Sequence, residues 1–239
     1  MNWWEGFFDE EYARHFLPAQ VEEQAGQIAR LLELKPGQRV FDQCCGQGRF
    51  SRALAQLGIL PVGVDACADY VEAARAACPE GRFFCADASG FHTEDCHGGM
   101  NVYSSFGYSA DDRFNLDMLK CARHSLRPGG RFLLETINFA NVLVNFQPTI
   151  VTHLDAGLIL ERHSRLDWQQ GMLRQEWILR RPDQSCRHHS TCTRILLPRE
   201  LGEMLRAAGL EPERMLGNLA GEEFAQDNPR VVWLARRCS

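Results

Sequence analysis

From Gln20 to Thr136 the chain alternates short apolar runs with stretches whose apolar residues recur at helical spacing, and this alternation narrows the available folds more than any other feature. Val21, Ala25, Ile28, Ala29 and Leu32 predict a helix over 20–34, stopped by Lys35-Pro36-Gly37. Arg39 to Cys44 reads as a buried strand, and Gly46-Gln47-Gly48 as a tight turn into a helix carrying Phe50, Ala53, Leu54 and Leu57. The pattern then repeats: strand over 60–65, helix over 68–77, strand over 81–85, strand over 100–104, helix over 114–126, and strand over 130–136 after the turn Arg127-Pro128-Gly129-Gly130. Each crossover helix must bury an apolar stripe, so the sequence predicts an α/β domain with a parallel sheet covered on both faces.

Beyond Pro148 the texture changes. Residues 158–166, 172–180 and 187–196 alternate partly and are separated by Gln169-Gln170-Gly171 and Pro182-Asp183-Gln184, which predicts three antiparallel strands within an insertion over 150–196. A helix over 198–208 and strands over 210–216 and 230–235 complete the sheet with an antiparallel terminal pair. At 239 residues, 45% hydrophobic and 24% charged, residues 1–239 read as one domain. A net charge of -5 offers no broad basic surface for a phosphate backbone, which disfavours nucleic acid as partner. The longest stretch without a charged residue, Thr136 to Leu154, is broken by polar side chains, so no membrane span is expected. Ten cysteines without a CxxC pair and an N-terminus without a signal-like run point to reduced thiols and a cytoplasmic protein.

The informative loop is Asp42-Gln43-Cys44-Cys45-Gly46-Gln47-Gly48, with Asp65 at the end of the next strand and Asp87 after the third. All three acids fall on the carboxyl edge of the expected sheet, where open parallel sheets bind ligands at the point of strand-order reversal. Gly46 and Gly48 admit a close backbone approach, and Asp65 can accept from two ribose hydroxyls, so a nucleoside fits. Dinucleotides and S-adenosylmethionine both suit such a turn. A dinucleotide turn expects a third glycine where Ser51 stands, and an acid at Asp42 disfavours a facing pyrophosphate. Asp42 suits the ammonium of an amino-acid moiety, and Asp87 an exocyclic adenine amine. Cys44 and Cys45 read as small packed thiols rather than redox groups.

With these residues in place the chain resembles a class I S-adenosylmethionine-dependent methyltransferase of the small-molecule branch. Asp42 to Gly48 resembles that family's first motif, with Cys44 at the usual first glycine, Val62 to Asp65 its second, Cys85 to Ala88 its third, and Leu126 to Phe132 the turn before its fifth strand. Ser104 to Tyr108 resembles the loop after the fourth strand in a bacterial subgroup. The resemblance implies a Rossmann-like seven-stranded sheet flanked by helices, with the β insertion after the fifth strand. It also implies donor contacts at Asp42, Cys44, Gly46, Gly48, Asp65, Ala66, Asp87, Ala88, Tyr103 and Ser104. Two features depart from it. His97-Gly98-Gly99 opens the fourth strand, predicting an irregular start. Asn101-Val102-Tyr103-Ser104 lacks the Asn-Pro-Pro-Tyr-type signature of base and amide methylation, which disfavours those acceptors.

Methyl transfer from a sulfonium is an in-line displacement that asks mainly for proximity, alignment and a dry site, and for a general base only with some nucleophiles. Tyr108 is the leading catalytic candidate, with His163 and Arg194 behind it. Tyr12, Asn138, Arg162 and Trp177 are the substrate-side candidates, with Phe139 and Phe146 beside them. Arg162 or Arg194 would pair with a carboxylate-bearing acceptor. Trp3, Trp4, Phe7, Phe8, Tyr12 and Phe16 form an aromatic stripe that reads equally as core or as a lid over 1–18. His188 and His189, adjacent in a strand, point to opposite faces and predict no metal. A small-molecule acceptor and a monomer or homodimer are expected. The competing functions are a non-catalytic donor-binding subunit, transfer of a group other than methyl, and a nicotinamide-dependent oxidoreductase.

Overall fold

The computed structural model describes residues 20–238; the N-terminal aromatic stripe, Tyr12 included, lies outside the described residues. The chain runs α1 (Val21–Leu31), β1 (Arg39–Gln43), α2 (Arg49–Gln56), β2 (Leu60–Asp65), α3 (Ala68–Ala77), β3 (Arg82–Cys85), β4 (Cys96–Asn101), α4 (Asp112–Ser125) and β5 (Leu126–Ile137). It continues through α5 (Phe139–Val144), β6 (Thr149–His153), β7 (Ile159–Asp167), β8 (Met172–Arg180), β9 (Cys186–Arg194), α6 (Pro198–Ala207), β10 (Leu210–Leu216) and β11 (Arg230–Arg237).

Seven strands form one sheet in the order β10-β11-β5-β4-β1-β2-β3, with β11 antiparallel to both of its neighbours. Strand parity sorts the core. Val40 and Leu133 pack into the cluster beneath α1 and α2, while Phe41, Phe132 and Leu134 pack into the opposite cluster with Leu119 and Leu205. Order reverses between β1 and β4: the chain steps outward to β2 and β3, then returns to the far side of β1. That reversal opens a crevice at the carboxyl ends of β1 and β4.

Three expectations are corrected. The fourth strand starts at Cys96 rather than Met100, and Tyr103 and Ser104 lie beyond it with φ of 64° and 57°. The glycines that disguised it are required by packing: a Cβ on Gly98 would stand 3.3 Å from Leu32 and Leu34, and one on Gly99 3.1 Å from Phe132. Its start is irregular as expected, with a register shift against β5 between Cys96 and Gly98. The fifth strand likewise begins early, at Leu126, directly after α4.

The insertion has four strands rather than three, forming a separate antiparallel sheet ordered β6-β7-β8-β9. Its additional edge strand β6 lies in the uncharged stretch that gave no strand signal, preceded by the short helix α5.

Candidate active site

Chain reversal brings the three acids together at one crevice. Asp42, buried at the end of β1, accepts a hydrogen bond from Ser51 Oγ at 2.7 Å. Burial pushes its carboxyl up to about 7; the Ser51 hydroxyl opposes that rise and the charge of Asp65 adds to it. Asp65 ties the second motif to the glycine turn, Oδ2 accepting from the Gly46 N–H and Oδ1 from the Cys67 N–H, each at 2.9 Å. Its pKa is also raised by burial, against the pull of those N–H groups. Asp87 accepts from the Ser89 N–H at 2.8 Å and its hydroxyl at 2.7 Å.

The turn itself is left-handed at Cys44, Gly46 and Gly48 (φ 63°, 54° and 71°). At Gly48 a Cβ would stand 2.9 Å from the Ala74 Cβ, so glycine is needed there for space as well as for φ. Cys44 occupies the same backbone region with a side chain. Burial pushes the thiols of Cys44 and Cys45 well above their ordinary value, so neither is a thiolate at neutral pH.

Sequence reasoning missed the residues that brace this crevice. Gln43 Nε2 donates to the carbonyls of Ala88 (3.3 Å) and Met118 (2.9 Å), and its Oε1 accepts from Asn101 Nδ2 (3.2 Å), joining β1 to β4, α4 and the loop after β3. A second polar residue beside Asp42 at the inner end of β1 was the available signal. Glu135, buried on β5, accepts from the Tyr103 N–H at 2.8 Å and so holds the left-handed turn after β4. Arg230 lies 5.1 Å from the Tyr103 ring centroid and donates to Ser104 Oγ. Both partners lie too far along the chain for sequence pattern to pair them.

A cavity of about 420 Å³ opens here, lined by Asp42, Cys44, Gly46, Asp65, Ala66, Asp87, Ala88 and Tyr103 among the expected donor contacts. Gly48 and Ser104 do not line it. Gly48 packs under the turn, and Ser104 turns to the adjoining cavity.

Residues 40–130 match a family described as a methyltransferase domain. No curated protein sequence matches the chain. Among solved structures it is similar to the CcbJ methyltransferase from Streptomyces caelestis, at 21% identity, covering 93% of this chain and 91% of that one with a TM-score of 0.82. It is similar to a S-adenosylmethionine-dependent methyltransferase from Clostridium acetobutylicum (13% identity, 98% and 99% coverage, TM-score 0.81). A third likeness is the sugar N-methyltransferase KedS8 from Streptoalloteichus (15%, 99% and 93%, TM-score 0.69). At these identities the likenesses establish the fold. The methyltransferase-domain match is confined to residues 40–130, while the shared fold extends over nearly all of the chain.

A second cavity, of about 330 Å³, adjoins the first and shares Tyr103 and Tyr108 with it. Its far wall is one face of the insertion sheet, where cross-strand register sets Arg162 opposite Trp177. The Arg162 guanidinium stacks 5.3 Å from the Trp177 ring centroid, and Trp177 Nε1 donates to Thr191 Oγ1 at 3.3 Å. Phe146 lines this cavity, whereas Phe139 is buried in a small core cluster.

Three other candidates do not line these two cavities. His163 lies between Arg162 and Ser164 on a strand, so its ring faces the opposite side of the sheet, 3.1 Å from Thr149 Oγ1 and 3.5 Å from Glu161, and with Tyr108 it lines a further cavity of about 510 Å³. Arg194 pairs with Asp112 at 3.0 and 3.2 Å and donates to the carbonyls of Gly171 and Ile195, a bolt between β9 and α4. Asn138 is 1% exposed; its Oδ1 caps α5 and its amide reaches the carbonyls of Ala225, Gln226 and Asn228. His189 and His188 sit opposite Trp177 and Ile178, and among the described residues no three ligand-type side chains gather as a metal site. No helix among the described residues is long and apolar enough to cross a membrane.

Proposed function

We propose that this chain is a methyltransferase that binds S-adenosylmethionine in the crevice beyond β1 and β4, and transfers its methyl group to a small molecule held against the insertion sheet. The observation that carries the reading is the pair of adjoining cavities sharing Tyr103 and Tyr108. One is rimmed by strand-end carboxylates and the other walled by the insertion, so two ligands can meet at one boundary. The residues present fit the donor: Asp42 for its ammonium, Asp65 for the ribose and Asp87 for the adenine amine, with open lone pairs remaining on each carboxylate. S-adenosylmethionine supplies an electrophilic methyl on a sulfonium. On transfer, the acceptor lone pair would form the new carbon bond as the carbon–sulfur bond broke with its electrons returning to sulfur, and the proton of an N–H or O–H acceptor would pass to water. Tyr108, at the shared boundary, orients the acceptor atom, and the chain contributes alignment and exclusion of water.

A cavity of this size fits a small acceptor rather than a duplex or a protein surface. The printed names of similar structures lean the same way: a sugar N-methyltransferase, an amino pentose methyltransferase and a glycopeptide N-methyltransferase. Ten unpaired thiols suit a reducing, cytoplasmic setting. A non-catalytic donor-binding subunit would have no use for the second cavity. Calorimetric titration with S-adenosylmethionine, S-adenosylhomocysteine and NADH tests the donor assignment. The sulfur nucleosides are expected to bind and NADH is not; the reverse result would return the chain to the oxidoreductase reading. Labelled methyl from the donor, followed into an amine, hydroxyl and carboxylate library, then tests the acceptor.

A further inference from the structure

Charge is distributed unevenly between the two cavities. Three aspartates line the donor side, while among the described residues no aspartate or glutamate lines the acceptor side, which instead holds the guanidinium groups of Arg162 and Arg230. Neither arginine has a carboxylate within ion-pair distance among the described residues, although Arg39, Arg131, Arg174, Arg180 and Arg194 all do. Arg162 is the more telling. Its Nε is buried without a hydrogen-bond partner, and its guanidinium carbon lies over the Trp177 ring, 5.3 Å from the centroid. Its neighbours on the same face are already satisfied in pairs, Gln175 with Ser164 and Trp177 with Thr191. Burial alone lowers the pKa of Arg162, with no opposing charge acting on it. A half-buried cation with an unspent donor, fixed by stacking in an acid-free cavity, is costly in the absence of an anion and pre-organised in its presence.

We propose that the acceptor carries a carboxylate, anchored in the second cavity by Arg162 with Arg230 in support, so that the insertion selects anionic small molecules for methylation. This rests on the assignment of the two cavities to donor and acceptor. Arg162 lines only the acceptor cavity, whereas Arg230 reaches the shared boundary through Tyr103. The carboxylate therefore docks at the insertion wall and leaves the rest of the acceptor to reach Tyr108.

Benzoate and its neutral isostere benzamide are suitable probes for an aromatic-walled cavity, titrated at low ionic strength into protein saturated with S-adenosylhomocysteine. Benzoate is expected to bind at least tenfold more tightly than benzamide. Arg162→Met should remove about 10- to 100-fold of benzoate affinity, with Arg162→Lys recovering part of it, while S-adenosylhomocysteine affinity stays unchanged in both. Equal binding of the two probes to wild type overturns the proposal without recourse to any variant. So does full benzoate affinity in Arg162→Met. Benzoate discrimination failing while S-adenosylhomocysteine still binds removes the anionic acceptor alone, whereas failure of S-adenosylhomocysteine to bind removes the donor assignment beneath it as well.

Discussion

The proposed seat of the donor's ammonium on Asp42 predicts a donor affinity that depends on pH. In the free protein its carboxyl titrates at about 7 because it is buried. An ammonium-bearing ligand requires the ionised form, so below that value binding must also strip a proton from Asp42. Affinity for S-adenosylhomocysteine should then fall about tenfold per pH unit below 7, about 1.4 kcal/mol each, and level off above 8. Asp42→Asn keeps the shape and the Ser51 contact but loses a charge-assisted hydrogen bond of roughly 1.5–3 kcal/mol, about 10- to 100-fold at pH 8. Its profile should be flat, so the two curves converge between about pH 5 and 6. The free protein behaves oppositely. A folded pKa above the unfolded one means the native state binds more protons between about 4 and 7, so this residue's contribution to stability is lost as pH rises through that window. Calorimetry at half-unit steps from pH 5.5 to 8.5 on both proteins checks this. A flat wild-type profile, or a slope that survives in Asp42→Asn, would refute the reasoning, because the slope would be absent or would belong to Asp65 or another group.

Asp65→Asn should weaken S-adenosylhomocysteine by about 10- to 1000-fold, since the two bonds proposed to the ribose lose their charge assistance; calorimetry at pH 8 reads it. Gly48→Ala places a Cβ 2.9 Å from that of Ala74 at φ +71° and should cost about 1–3 kcal/mol in urea unfolding, with a change below 0.5 kcal/mol contradicting the packing account. Asn138→Ala strands three carbonyls of the loop before β11, and a loss of about 1–3 kcal/mol is expected in the same assay, with donor affinity little changed.

The stretch from β1 to α4, β4 apart, was legible because its helices and buried strands keep their periods and glycines punctuate them. Legibility failed where period and packing part company. β4 hides behind Gly98 and Gly99, which read as loop yet are demanded by Leu32 and Phe132 pressing from either side. β6 is an edge strand with mostly exposed residues, so it lacks the alternation that betrays a half-buried strand. At the site, the strand-end acids announced themselves by position, and eight of ten expected donor contacts line the cavity. The bracing residues did not: Glu135 and Arg230 matter only because β5 and β11 lie side by side and deliver both to Tyr103. Arg194 illustrates the converse, a cation whose sequence context suggested a ligand while Asp112, 82 positions away, was already neutralising it.

The place of the insertion within the sheet has a consequence for how the chain is made. β5 pairs on one side with β4, already synthesised, and on the other with β11, where Phe132, Leu133 and Leu134 face Ala235, Leu234 and Trp233. Between them the ribosome must extrude all of β6 to β10, and at roughly 5–20 residues per second that interval lasts on the order of 5–20 s. Throughout it the strand that carries Phe132, Leu133 and Leu134 presents an open hydrogen-bonding edge. The antiparallel hairpins of the insertion close locally and early, so the last-made strand, rather than the most elaborate region, governs when this protein ceases to be prone to aggregation.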